Sequence, residues 1–200
     1  MSDPRGDAGA PIFTVSRDGA GDDAALLRRI GQGDEDAMAA FYREHGRVVL
    51  AQVLLVTGER VLAEEIVQDT MLAVWRGAVS FRGESSVRSW VIAIARRQTR
   101  DRLRGRQLRL VDDAFLAEQP GPGPGPEVTA LDRAELAEVK GAIRELALPH
   151  REVLGLAFGS GLSIPDVAGV LEIPVGTVKS RLTAARTALV RVLEEKGQNR

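Results

Sequence analysis

The sequence predicts an all-α protein built from two small helical domains, and three observations carry that prediction. Apolar residues recur at the three- and four-residue spacing of amphipathic helices in two long segments. Aromatic residues make up only 4% of the chain, so the cores must rely on leucine, valine, isoleucine and alanine. Three consecutive Gly-Pro pairs lie between the segments, and neither a helix nor a strand accommodates that alternation. The predicted organisation is a tail at 1–21, a domain at 22–108, a Gly/Pro-rich linker at 109–128 and a domain at 129–200.

The tail and the overall composition exclude several classes of protein. Residues 1–21 are rich in glycine, aspartate and proline, lack helical periodicity and are expected to be flexible. They contain no apolar signal core, and no apolar stretch is long enough to span a membrane, so we expect a cytoplasmic protein without membrane insertion. The absence of cysteine excludes disulfides and thiolate metal sites, and it fits a reducing compartment.

Two helices are predicted at the start of the first domain. Asp22 or Asp23 is expected to cap the first helix, and Asp34 to cap the second. The apolar positions of the second helix form two adjacent rows, Ala37, Phe41, His45 and Val48 on one and Met38, Tyr42, Val49 and Val53 on the other. Because His45 lies on an apolar row without catalytic partners, we interpret it as a core residue rather than as a ligand or base.

A third helix, predicted at about 59–76, combines an apolar inward face with an acidic outward face. Arg60 is the one cation among the outward residues Glu59, Glu64, Glu65, Gln68 and Asp69. Such a face repels DNA and suits a basic protein partner. A helix surface that is simply solvated can have the same charge, so both interpretations stay open.

A basic segment at 81–109 closes the first domain. It starts as a polar loop, continues as an apolar stretch with Trp90 and ends in a run of arginines opposed by Asp101 alone. The run comprises Arg96, Arg97, Arg100, Arg102, Arg104, Arg106 and Arg109. Since the net charge of the chain is only −1, this local excess indicates a surface for nucleic-acid phosphates. The alternative is a solvated helix end, although solvated faces usually mix signs.

The second domain contains a predicted helix-turn-helix at 163–193. Ser163 and Asp166 have capping-box spacing, and Pro149 suits the first turn of the preceding helix. The expected buried residues are Ile164, Val167, Ala168 and Leu171 on the first helix and Val178, Leu182, Ala185 and Leu189 on the second. No acid occurs from 175 through 193, which favours a recognition helix over a hairpin of a non-DNA bundle. The two domains are therefore expected to hold DNA at two places through a flexible linker.

Three motifs resemble the bacterial sigma-70 family, in its short two-domain extracytoplasmic-function form. They are Ala-Glu-Glu-Ile-Val-Gln-Asp-Thr-Met-Leu-Ala-Val-Trp at 63–75, Phe-Arg-Gly-Glu-Ser at 81–85 and Ile-Pro-Val-Gly-Thr-Val-Lys-Ser-Arg-Leu at 173–182. The resemblance covers about 34–108 and 130–195, and the three motifs stand in the family's order. It implies a promoter-specificity subunit that binds core RNA polymerase and promoter DNA.

The resemblance also implies roles for residues and for partners. The 63–75 helix docks on the β′ coiled coil of core polymerase through Glu65, Gln68 and Asp69, the β flap is a further polymerase contact, and an anti-sigma factor masks both domains. The 81–90 loop and its helix melt and hold the −10 element and capture a flipped base. The −10 candidates are Ser85, Ser86, Trp90, Arg96, Arg97 and Arg100. The −35 candidates on the last helix are Thr177, Lys179, Ser180, Arg181, Thr183 and Ala184.

Two other functions are weighed against this one, a stand-alone dimeric helix-turn-helix regulator and a sequestering decoy with a vestigial DNA surface. A dimeric regulator needs a pairing surface, yet the sequence has no heptad seam. Enzymatic activity is not expected, because His45 and His150 lie in different domains and neither a phosphate-binding loop nor metal-ligand spacing occurs. No catalytic residue, cofactor or metal is therefore predicted.

Overall fold

The computed structural model describes residues 20–110 and 130–198, and these ranges fold as helices joined by short turns without any strand. The helices are α1 (Ala20–Ile30), α2 (Glu35–Thr57), α3 (Arg60–Gly77), α4 (Val87–Leu110), α5 (Ala130–Glu145), α6 (Leu148–Leu154), α7 (Ile164–Leu171) and α8 (Val175–Gln198). A 3₁₀ turn (Ala78–Ser80) follows α3, and a π-helical turn (Gly155–Gly159) continues α6. The all-α prediction is confirmed. The predicted tail and linker, apart from two residues of each, lie outside the described residues.

Local sequence sets several helix ends as predicted. Asp34 caps α2 by accepting a hydrogen bond from the Ala37 amide at 3.0 Å, and this bond, followed by the Arg29 side chain, holds the pKa of Asp34 below its usual value. Gly58 ends α2 in the left-handed region at φ 76°. Ser163 and Asp166 form the reciprocal capping box that begins α7.

The predicted cap of α1 is wrong. The helix begins at Ala20, so Asp22 and Asp23 lie inside its first turn. Negative charge still complements the helix dipole there. The Asp23 carboxylate contacts His45 Nε2 on α2 at 3.1 Å, so it takes part in a long-range contact rather than in a local cap.

The first domain packs α1, α3 and α4 around α2. One predicted row of α2 is buried through Ala37, Phe41 and His45 and continues to Val49 and Val53. The second row is only partly buried, because Tyr42 is 52% exposed and lies over the surface beside Gly46. In an apolar row at the edge of a helix face, some side chains therefore lie in the core and others at the surface.

The two domains pack directly against each other, which the prediction of separate domains did not anticipate. α7 lies on α4, and α5, α6 and the π turn lie on α2, so the buried apolar side chains of both domains form one continuous cluster. Gly155 lies close to side chains of α2. A Cβ atom added there would lie 2.4 Å from Gln52 Oε1 and 2.9 Å from Leu55 Cδ2. The absence of a side chain at this position permits the contact.

No described helix combines the length and the apolar character that crossing a bilayer requires.

Candidate functional site

The loop before α4 is held by short-range contacts. Ser85 and Ser86 are exposed, and Gly83 turns the loop at φ 73°. Ser86 Oγ accepts a hydrogen bond from the Ser89 amide at 3.0 Å, so this hydroxyl caps the start of α4. Trp90 is half-buried and packs against Phe81, with ring centroids 5.4 Å apart. Of the predicted −10 residues in the loop, Ser85 therefore has the hydroxyl that is least committed to the fold.

The arginines of α4 fall into distinct environments. Arg97 and Arg100 are exposed, and neither forms an ion pair within the described parts of the chain. Arg102 and Arg106 turn toward α3, whereas Arg96 turns toward the second domain. The predicted basic surface is therefore not uniform, and only some of its cations face solvent unopposed.

Arg96 forms a buried ion pair between the domains. Its Nε lies 3.0 Å from Glu152 Oε1 on α6, and its Nη1 donates to the Val170 carbonyl on α7 at 3.2 Å. Only 14% of the Arg96 side chain and 9% of the Glu152 side chain are exposed. Arg88 adds a long hydrogen bond of 3.5 Å to the Ser160 carbonyl. A residue predicted to bind the −10 backbone is thus engaged by the second domain in this arrangement.

The acidic face of α3 faces outward, as expected, and arginines of α4 lie against part of it. Arg102 bridges two predicted core-binding residues, with Nη1 3.1 Å from Glu65 Oε2 and Nη2 2.5 Å from Asp69 Oδ2. Arg106 pairs with Glu59, the residue before α3, and a cleft between the two helices is lined in part by Val61 and Leu62. Gln68, the third predicted core-binding residue, is exposed beside them.

The second helix of the helix-turn-helix, α8, has the predicted two faces. Val178, Leu182 and Ala185 are buried, and Leu189 is half-buried. Lys179, Ser180, Thr183 and Ala184 are exposed, while Thr177 and Arg181 are half-buried. The Thr183 hydroxyl donates to the Lys179 carbonyl at 3.1 Å, which leaves its lone pairs toward solvent. All six predicted −35 residues therefore lie on or beside one accessible face.

His45 is a core residue, as predicted. It is 1% exposed, and burial lowers the pKa of its imidazole, while the nearby Asp23 carboxylate acts in the opposite direction. Its Nδ1 is buried without a hydrogen-bond partner. Among the described residues, no group of three histidine or acidic side chains is arranged to hold a metal ion.

Glu152 is the ion-pair partner of Arg96 that the sequence did not reveal. It directly precedes the buried pair Val153 and Leu154, and buried Leu156 lies one turn further along. A carboxylate in such a row is a weak signal that a cation will be found elsewhere in the fold. The sequence holds 27 lysines and arginines, and nothing local identifies Arg96 as the partner.

Comparison with known proteins gives two family matches that follow the two domains. The model for Sigma-70 region 2 matches residues 41–109, and the model for Sigma-70 region 4 matches residues 136–189. The RNA polymerase sigma factor NccH of Alcaligenes xylosoxydans xylosoxydans is 35% identical over 180 residues, which cover 86% of this chain and 95% of NccH. SigL of Mycobacterium tuberculosis (strain ATCC 25618 / H37Rv), an extracytoplasmic-function sigma factor, is 35% identical over 170 residues, covering 82% and 92%.

Two solved structures share the architecture. CnrH, solved in complex with the cytosolic domain of CnrY, superposes with a TM-score of 0.66 at 25% identity and covers 86% of this chain and 97% of its own. The sigma factor RpoE of Bartonella quintana, solved with the anti-sigma factor NepR, gives a TM-score of 0.66 at 28% identity, covering 78% and 97%.

Proposed function

Since the chain belongs to the sigma-70 family of RNA polymerase subunits, in its extracytoplasmic-function group, we propose that it confers promoter specificity on core polymerase through the surfaces described above. The observation that carries the proposal is the pairing of two kinds of surface. The first domain places an acidic helix face beside a basic helix, and the second exposes an acid-free recognition face. The chemistry of RNA synthesis then belongs to the polymerase, and this chain performs no catalytic step.

Core polymerase binds the α3 face through Glu65, Gln68 and Asp69. All three retain accessible atoms, and side-chain exposure is 52% for Glu65 and 35% for Asp69. Carboxylates beside an exposed amide suit a basic, hydrogen-bonding partner such as the β′ coiled coil. The second domain makes the further contact with the β flap.

The −10 element is held by the loop and α4. Ser85 and Ser86 line the place where a base leaves the stack, Trp90 supports that loop, and Arg96, Arg97 and Arg100 hold the backbone. Unstacking a base costs a few kcal/mol, and capture of the extruded base offsets that cost. The geometry that supports this assignment is an exposed hydroxyl loop placed at the start of an arginine-rich helix.

The −35 element is read by α8. Its small side chains admit a close approach to base edges, and Lys179 and Arg181 are placed to reach phosphates or base acceptors. Thr183 and Ala184 offer apolar methyl groups and one hydroxyl rather than a bidentate donor. Base discrimination at those two positions is therefore expected to be modest.

An anti-sigma factor is the further partner that we propose, located with this chain in the cytoplasm. The support is that CnrH and RpoE, which share this architecture, were solved with the cytosolic domain of CnrY and with the anti-sigma factor NepR. Isothermal titration with a candidate anti-sigma domain tests this proposal. Binding that does not lower transcription in the presence of core polymerase would contradict it.

Run-off transcription with purified core polymerase and a promoter library tests the function itself. We expect initiation from a defined set of promoters only when both components are present, and weak binding of duplex DNA by the chain alone. A dimeric regulator would instead bind palindromic duplex tightly by itself. Failure to open any promoter with core polymerase present would overturn the proposal.

A further inference from the structure

The contact between Arg96 and Glu152 joins a predicted DNA-binding residue to the other domain. The guanidinium of Arg96 has two oxygen partners, Glu152 Oε1 at 3.0 Å and the Val170 carbonyl at 3.2 Å. A phosphate group offers a guanidinium the same pattern, two oxygens within reach of one planar fork. The second domain thus presents to Arg96 the chemistry that a promoter backbone would present.

We propose that Glu152 is an internal phosphate mimic, which closes the unbound chain by occupying Arg96 and which promoter DNA must displace. This inference rests on the proposed function, because it concerns an arginine assigned to the −10 backbone. In the closed arrangement only 14% of the Arg96 side chain is exposed, which leaves little access for a DNA phosphate. Holding the −10 element through Arg96 therefore requires that the domains separate.

Because the Arg96–Glu152 pair is buried, it acts as a latch that holds the two domains together, unlike an exposed ion pair on the surface. A charged group in a dry site is costly unless it is paired and hydrogen-bonded, so Arg96 and Glu152 satisfy each other only while the domains touch. Once the domains separate, water solvates both groups and Arg96 becomes available. Exposed Arg97 and Arg100 remain accessible in either arrangement, so closure removes part of the DNA surface and not all of it.

The surrounding interface shows that closure is built into both domains. α7, the first helix of the helix-turn-helix, packs on α4, and Gly155 allows the π turn to approach α2. Opening therefore exposes apolar surface and needs a partner that binds the open form better. Core polymerase and promoter DNA supply that preference, since DNA bound through Arg96 excludes the latch. A chain that is mostly closed binds DNA with an affinity reduced by its open fraction.

The test measures the distance between domains and the binding of −10 DNA on the same full-length protein. The chain has no cysteine, so cysteines introduced at the exposed positions Arg43 on α2 and Lys140 on α5 take spectroscopic labels at defined sites. Double electron–electron resonance then reports closed and open populations. DNA binding is followed with a fluorescent single-stranded oligonucleotide that carries a −10 element selected in the run-off experiment.

The variant Glu152→Gln keeps the side-chain shape and removes the charge. We expect a larger open population and a rise in oligonucleotide affinity of about tenfold, the factor by which a minor open form becomes dominant. Glu194→Gln is the matched control, because it removes one exposed negative charge from the same domain and should change neither measurement. An unchanged distance distribution in Glu152→Gln would overturn the latch.

A second variant tests whether the domains can be opened without a change in net charge. Gly155→Val leaves the net charge unaltered but places a side chain where neighbouring atoms lie 2.4 and 2.9 Å from the Cβ position, so it should also open the chain and strengthen oligonucleotide binding. The double exchange Arg96→Glu with Glu152→Arg should restore the closed distance while leaving oligonucleotide binding weak. Stronger binding in Glu152→Gln without opening in either variant would show a general charge effect and contradict the proposal.

The wild-type run-off experiment keeps the two proposals distinguishable. If core polymerase and the wild-type chain initiate transcription but neither variant changes the interdomain distance, the latch is wrong and the proposed function stands. If they initiate nowhere, the proposed function fails. An opening in both variants would then still establish the closed form, whereas unchanged distances would overturn the latch as well.

Discussion

Arg96 and Arg102 lie six residues apart on the same helix and show how different two members of one basic run can be. Arg96 is almost buried and pairs with Glu152 of the other domain, whereas 44% of the Arg102 side chain is exposed and its partners lie on neighbouring α3. Breaking a buried pair by removing one partner typically costs about 3–5 kcal/mol, while an exposed pair contributes about 0–1 kcal/mol. Position in the fold, and not residue type, therefore separates a latch from a minor surface contact.

The arginines of the basic run also differ in how accessible each one is to a DNA backbone. Arg97 and Arg100 face solvent, Arg102 and Arg106 oppose the acids of α3, and Arg96 joins the two domains. A count of arginines overestimates the positive surface that a DNA backbone meets. A count of acids likewise overestimates the negative surface that a basic partner meets, because the single positive charge of Arg102 offsets part of the charge of Glu65 and Asp69.

The largest expected effect belongs to Arg96→Ala. This change leaves Glu152 buried without its cation, and we expect the closed arrangement to lose about 3–5 kcal/mol. Because the domains can separate, the loss should appear as uncoupling, with two unfolding transitions in urea in place of one shared transition. Circular dichroism and differential scanning calorimetry measure this. A single transition at the wild-type midpoint would place Arg96 in the same energetic class as Arg102.

A smaller effect is expected when the acidic face itself is removed. Gln68→Ala combined with Asp69→Ala should weaken the binding of core polymerase by about tenfold, as is usual when central interface residues are truncated. Folding should be intact because both side chains lie at the surface of α3. Fluorescence anisotropy of labelled chain against core polymerase gives the affinity, and a wild-type value would refute the assignment of this face.

Arg102→Gln should change core affinity in the opposite direction. Removing the internal cation leaves Glu65 and Asp69 unopposed, so a basic partner should bind about threefold more tightly, within the range of a single exposed ion pair. Arg28→Gln on α1 is the matched control, since it removes the same charge from an exposed position. Weaker binding by Arg102→Gln would indicate that Arg102 contacts the partner itself rather than competing with it.

The smallest effect concerns stability. Arg102→Ala should lower the free energy of unfolding by no more than about 1 kcal/mol. That difference in free energy should be smaller in 1 M salt, where the Debye length is about 3 Å. Urea titrations at low and high salt provide the measurement. A loss comparable to that of Arg96→Ala would show that exposure does not govern the contrast between these arginines.

Much of the fold could be predicted from local sequence because its causes are local. Asp34 caps α2 three residues before the amide that it accepts from, and Ser163 with Asp166 begins α7 in the same way. The burial of Phe41 and Val178 follows from helical periodicity. Tyr42 and Asp23 departed from prediction because their environments depend on where neighbouring helices cross.

The kind of site could be predicted from the sequence, but the contacts of individual residues could not. Ser85, Lys179 and Thr183 are exposed, as the assigned roles need. Ser86 also caps α4, and Glu152 was overlooked because its partner lies 56 residues away in the chain. Periodicity gives the face of one helix, but it carries no information about which other helix covers that face.

By itself the sequence determined the helices, the caps of α2 and α7, the helix-turn-helix and the family, since each depends on residues a few positions apart or on contiguous motifs. Only the tertiary structure decided that the domains touch and which arginine meets which acid. The physical reason is that the free energy of a charge depends on its solvation and on its nearest partners. Solvation and nearest partners are both set by the packing of the helices, which buries Arg96 and leaves Arg102 exposed to solvent.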